Sequence, residues 1–300
     1  MRCSMKLMEP ALSLSLKNIL LATDFSSCSE IAVKYALALA RRHSSQVHTI
    51  HVEGPDSYQL LQPEAFAIAF RGLNAGTTDV AGLLNGLLAG LPHQAPLEPG
   101  AIWKVINDVI VRNEIDLLVL ATHGRTGLSR IFGGSVAEDI FRNVPCPVLT
   151  LGPGVKDFNA ENFNIQKILM ATDFDSHSAA PTYAVWLAND FKAALTVVNV
   201  LHGRTEEPNV DDLARKFKAQ LPEDLELWSK PGFATEYGNP ADGILAIADD
   251  LKPDLMVLGA RHPEPAQLNS HILLATAGRL VSEAKCPVLT VRERDLSMRL

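Results

Sequence analysis

Two stretches of this chain read alike: KNILLATDFSSCSEIAVKYALALA, residues 17–40, and QKILMATDFDSHSAAPTYAVWLA, residues 166–188. Each opens on a short apolar run, passes through Ala-Thr-Asp-Phe, and turns to helical periodicity. The likeness continues downstream. HTIHV at 48–52 answers TVVNV at 196–200, and IDLLVLA at 115–121 answers PDLMVLG at 253–259. Both copies close on Cys-Pro-Val-Leu-Thr, at 146–150 and 286–290. Gly100 stands sixteen residues before Asp116, and Gly238 sixteen before Asp254. The offset between copies is 149 residues at the start and 140 at the end. A period that long marks a duplicated domain rather than a solenoid unit, and 300 residues agree with two domains. Residues 152–164, GPGVKDFNAENFN, have the composition of a linker. The expected division is therefore 1–152 and 153–300.

Within each copy, strand and helix patterns alternate. NILLATD is apolar without alternation, which suits a strand buried on both faces. SEIAVKYALALARRH has the 3.6 period, with Ser26, Ser27 and Ser29 placed to cap it. VHTIHV reads as a strand, AIWKVINDVIVRNE as a helix, DLLVLAT as a strand, SVAEDIFRNV as a helix and PVLTLG as the last strand. The stretch between carries helical pattern in PEAFAIAFRGL and DVAGLLNGLLAGL. Alternation with apolar strands implies an α/β fold with a parallel sheet covered on both faces. Right-handed crossovers make it doubly wound.

The chain is 47% hydrophobic and 20% charged, enough apolar residue for real cores. Its net charge of −7 points away from nucleic acid and anionic membrane as partners. Residues 1–150 hold 12 Lys/Arg against 13 Asp/Glu, and residues 151–300 hold 15 against 21. A polyanionic ligand is thus better tolerated by the first half. Cys3, Cys28, Cys146 and Cys286 form no C-x-x-C pair and no zinc-like cluster. Cys146 and Cys286 read as small buried thiols, in keeping with a reducing cytoplasm. Glu9 and Pro10 interrupt the apolar N-terminal run, which reads as a disordered lead-in. DVAGLLNGLLAGLP is too short and too interrupted to span a bilayer.

In doubly wound sheets, ligands sit beyond the carboxyl ends of the strands, where the winding reverses. In the first copy those ends are Ala22-Thr23-Asp24, His51-Val52 and Leu120-Ala121. A loop follows Ala121, and Gly133-Gly134-Ser135 then opens a helix. Free N–H groups at a helix start favour an anion. Two glycines leave room for a phosphate, Ser135 offers a hydroxyl, and Arg125 and Arg130 add charge in the loop. Asp24 is placed to accept from a ribose hydroxyl or an adenine amino group. Each residue also has a plain structural account. The glycines serve a tight turn, Ser135 and Asp24 serve as caps, the arginines are solvated, and His51 and His123 are structural. The functional reading rests on their convergence.

These residues resemble the universal stress protein family of the UspA type, as two tandem modules covering nearly the whole chain. Nucleotide-binding members carry G-x2-G-x9-G-[ST]. Here the run is Ala121-Thr122-His123-Gly124, nine residues, then Gly134-Ser135-Val136. Ala121 replaces the first glycine, and its methyl fits only where the backbone keeps a negative φ. The resemblance implies two tandem five-stranded, Rossmann-like sheets similar to adenine nucleotide alpha hydrolases. It implies pairing as an internal pseudo-dimer through residues 147–151 and 287–291. It also implies ATP, with or without Mg, in the first module. Ala22, Thr23 and Asp24 would line the adenosine end. Val52 and Leu120 would flank adenine, Ala121 would stand at the start of the loop in the same site, and Gly124, Gly134, Ser135 and Val136 would hold the phosphates. An unknown protein partner and a homodimer through the apolar helices at 65–91 belong to the same expectation.

The second copy keeps Asp173 and Gly259 but not the phosphate loop. His262 stands at the second glycine, Pro263, Glu264 and Pro265 follow, and Leu274-Ala275 replace Gly-Ser. A structural role without nucleotide is expected there. No compact set of metal, cation and water-orienting groups marks an enzyme. Three readings remain: an ATP-binding regulatory protein, a nucleotide-free scaffold favoured by Ala121, and a slow ATP hydrolase.

Overall fold

A computed structural model of the chain describes residues 16–23, 30–54, 57–61, 102–121, 144–158, 162–175, 178–201, 209–260 and 270–292. The first copy supplies strands β1 (Asn18–Thr23), β2 (Gln46–Gly54), β3 (Ser57–Leu61), β4 (Leu117–Ala121) and β5 (Val148–Leu151). The second supplies β6 (Lys167–Ala171), β7 (Ala194–Leu201), β8 (Gly232–Tyr237), β9 (Leu255–Ala260) and β10 (Val288–Arg292). The described helices are α1 (Glu30–His43), α2 (Ile102–Arg112), α3 (Ala180–Phe191), α4 (Val210–Lys218), α5 (Pro240–Leu251) and α6 (Ser270–Glu283). None is long and apolar enough to cross a membrane. The helical patterns expected at 65–91 and 135–144 lie outside the described residues, apart from Val144.

The strands form one sheet in the order β3-β2-β1-β4-β5-β10-β9-β6-β7-β8. Each copy therefore has the doubly wound order expected of it. The copies meet where β5 runs antiparallel to β10, with Leu149 opposite Leu289. The expected pairing through the last strands holds, and it fuses two five-stranded sheets into one of ten. One strand departs from the parallel expectation. β3 is antiparallel to β2, with Val52 opposite Tyr58. Its sequence, SYQLL, lacks an apolar run, but the preceding Gly54-Pro55-Asp56 is turn punctuation that signals a hairpin.

Strand geometry sends alternate side chains to opposite faces, and both faces are buried. Leu21, Val119, Leu149, Met170, Val257 and Leu289 enter one core. Leu20, Leu118, Val148, Leu169, Met256 and Val288 enter the other. Both cores thus run unbroken across the seam. Cys146 and Cys286 are buried and not in disulfides, as expected. Burial pushes the Cys286 thiol up to about 12.

The linker is packed rather than loose. A side chain on Gly152 would place its Cβ 2.1 Å from the Val281 carbonyl oxygen of α6, so the close approach requires glycine. Tyr35 of α1 meets Phe158 and Phe163 of the linker edge to face, at 4.6 and 5.4 Å between ring centres. Lys34 Nζ contacts Asp157 at 2.8 Å. From α1, Arg42 Nε reaches Asp190 of α3 at 2.6 Å. His43 stacks on Trp186 at 5.5 Å.

Candidate functional site

The winding of the first copy reverses between β1 and β4. Ala22 lies in register with Leu120 across that pair, and Ala22 with Ile50 on the other side. Ala22, Thr23, Leu120 and Ala121 are all buried, so the strand ends converge as a packed floor. Thr23 lies opposite His51, and Val52 follows on β2. Five of the ten expected site residues are thereby brought to one end of the sheet. The remaining five, Asp24, Gly124, Gly134, Ser135 and Val136, lie outside the described residues.

Ala121 carries the departure from the family's glycine. Its backbone is ordinary strand, paired with Leu151, and it is not among the residues with positive φ. The methyl therefore costs no backbone strain. Ala121 packs into one core and Ala22 into the other, on opposite faces of the sheet.

The universal stress protein family matches residues 15–151 and again 164–292. The chain belongs to that family. Two universal stress proteins of Methanocaldococcus jannaschii resemble one module each. One is 28% identical over 138 residues, covering 45% of this chain and 81% of the relative. The other is 27% identical over 162 residues, covering 47% and 97%. A universal stress protein from Archaeoglobus fulgidus covers 93% of this chain and 98% of its own, with a TM-score of 0.61 and 18% identity. That last likeness shows the tandem α/β fold.

In the second universal stress protein module, the residues after the first strand fold back on themselves. Thr172 Oγ1 accepts from the Phe174 N–H at 2.9 Å, and Asp173 Oδ1 accepts from the Asp175 N–H at 3.2 Å. Asp173, the counterpart of Asp24 in the repeat, thus folds back on its own loop. Phe174 sits at a φ of 60° with its ring packed against the core. A Cβ on Gly259 would lie 2.5 Å from Ser178 Oγ, so Ser178 presses directly on the glycine. Asn199 Nδ2 donates to the Thr172 carbonyl at 2.8 Å and pins the neighbouring strand end. Its signal in the sequence was the asparagine within TVVNV, at the place of His51. Leu274 and Ala275, which stand at the Gly134-Ser135 position, are the fifth and sixth residues of α6. Only the first four N–H groups of a helix are free. Theirs are spent inside it, and no anion seat can form at that point.

At the opposite sheet end, both modules use one device that sequence analysis marked only as a repeat. Asp116 Oδ2 accepts from the N–H groups of Lys17 and Asn18, at 2.6 and 2.8 Å. Asp254 Oδ2 does the same for Gln166 and Lys167, at 2.8 and 2.9 Å. These carboxylates clamp the start of the first strand to the start of the fourth, and so fix the pair whose far ends form the site.

Proposed function

We propose that this protein is a cytoplasmic stress-response protein that binds ATP in its first module. It acts through a nucleotide-dependent conformation or partner interaction rather than through turnover. The observation that carries this reading is the meeting of β1 and β4 at the winding reversal, with Ala22 in register with Leu120. The loop bearing Gly124 and Gly134-Ser135 leaves directly from Ala121. Ligands of doubly wound sheets bind at that reversal. In this reading Ala22, Thr23, Asp24, Val52, Leu120 and Ala121 take the adenosine. Gly124, Gly134, Ser135 and Val136 take the phosphates through backbone N–H groups and one hydroxyl. The unstrained backbone of Ala121 removes the main support for a nucleotide-free first module.

The second module serves as the other half of the sheet. Its Leu274 and Ala275 lie within α6, so one nucleotide per chain is expected. A ligand that binds one conformation better shifts the population toward it, which is the output assigned here. The test is to purify the protein without added nucleotide, denature it, and chromatograph what is released. ATP near one per chain supports the reading, and Gly134→Leu releases none while keeping the wild-type melting temperature of nucleotide-free protein. Release of ADP alone favours hydrolysis. No nucleotide, with no heat on titrating Mg-ATP, overturns the reading.

A further inference from the structure

We propose a separate ligand site at the seam between the modules, one that takes a small, uncharged, hydrocarbon-like molecule. A cavity of about 30 Å³ lies on one face of the sheet, floored by the β5–β10 seam and roofed by α1 and α3. It is far in kind from the nucleotide reading, which concerns strand ends, and does not depend on it.

The cavity belongs to both copies equally. Tyr35 and Leu39 of KYALALA line it from the first module, and Tyr183 and Leu187 of TYAVWLA from the second. Leu149 and Leu289, directly opposite each other across the seam, line it from the sheet. Matching residues of the two copies thus face one another across the pseudo-twofold axis. Three residues break the match, and one is Pro147, which lines the space without its counterpart Pro287. Trp186 stands where the first copy has Ala38, and Phe163 comes from the linker.

Only apolar surface faces this space. A water needs two to four polar partners to settle in a cavity, and apolar cavities stay dry and accept apolar guests such as xenon or benzene. A charged or hydrogen-bonding ligand would lose hydration there with nothing in return. The chemistry selects a neutral apolar guest, and the size restricts it to a few heavy atoms or the tip of a longer chain. Because the walls come from both modules, an occupant bridges them. Binding to the joined state alone stabilises that state by mass action.

Xenon is the probe. The full chain, methyl-labelled at leucine, is titrated with xenon pressure and followed by NMR and by melting temperature. The expected result is a saturable shift at Leu39, Leu149, Leu187 and Leu289, little change at Leu20 and Leu118 on the other face, and a rising melting temperature. Leu187→Phe fills the space and weakens xenon binding at least tenfold. Leu149→Ala enlarges it, tightens xenon binding severalfold and admits benzene, which keeps the proposal testable should the filling variant not fold. Shifts that are absent, linear in pressure, or spread over both faces overturn the site. So does xenon binding unchanged in either folded variant.

Discussion

At the scale of single residues, the two modules are held by carboxylates that do no chemistry. Asp116 is buried and Asp254 is half-exposed, yet each accepts two backbone N–H groups of its first strand. Removing an acceptor from buried donors costs about 1–3 kcal/mol. Asp116→Ala is expected to fall in that range by urea denaturation. Asp254→Ala should cost less, because water reaches its donors; equal losses would contradict the burial argument. Gly238 is another fixed point. Its φ of +106° is one that L side chains rarely adopt, and its N–H donates to the Leu201 carbonyl at 2.9 Å. This explains why a glycine stands sixteen residues before Asp254.

At the scale of elements, helix starts and the seam follow different rules. α5 begins after Asn239, whose side chain accepts from the N–H groups of Ala241 and Asp242, with Pro240 in the first turn. Such a cap is worth about 1 kcal/mol, and Asn239→Ala should lower the urea-derived stability by that much. Gly152 is a harsher case, because the obstacle is backbone and cannot rotate away. Gly152→Val is expected to cost about 1–3 kcal/mol or more, the range for overpacking. It should also raise hydrogen exchange at β5 and β10, whereas Asn239→Ala should leave exchange at the seam unchanged. A seam unaffected by Gly152→Val would remove the claim that α6 fixes the linker.

At the scale of the whole molecule, the contact between α1 and α3 is expected to respond to acid. His43 stacks on Trp186, and its Nε2 lies 3.6 Å from Asp190 Oδ2 of α3. Phe191 of α3 presents its edge to the same ring. Burial lowers the His43 pKa, while Asp190 acts to raise it and Arg42 to lower it. The net direction is down from 6.5, so the native state keeps the ring neutral. The unfolded chain takes up the proton first as pH falls. The contribution of His43 is therefore present above about pH 6.5 and is lost as pH drops toward its lowered native value. Denaturant midpoints at pH 7.5 and 5.5 should differ less in His43→Phe than in the parent chain. An unchanged difference would assign the acid sensitivity to other groups.

Periodicity and duplication were enough to establish the alternation of strand and helix and the two copies, while the pairing of their last strands followed from the family resemblance. These are one-dimensional signals: apolar runs mark buried strands, and a repeated Cys-Pro-Val-Leu-Thr marks a repeated edge. The convergence of Ala22 and Leu120 was also legible, since strand order fixes where winding reverses. Other features required the folded chain. β3 was marked only by the turn residues before it, because a short antiparallel edge strand needs no apolar run. The fit of Ala121 depended on a backbone angle, and the close contact of Ser178 with Gly259 joins residues 81 apart in sequence. The seam cavity arises only when two copies of one helix face each other across β5 and β10. Sequence determines what each segment buries, whereas the space left between segments is a property of their packing.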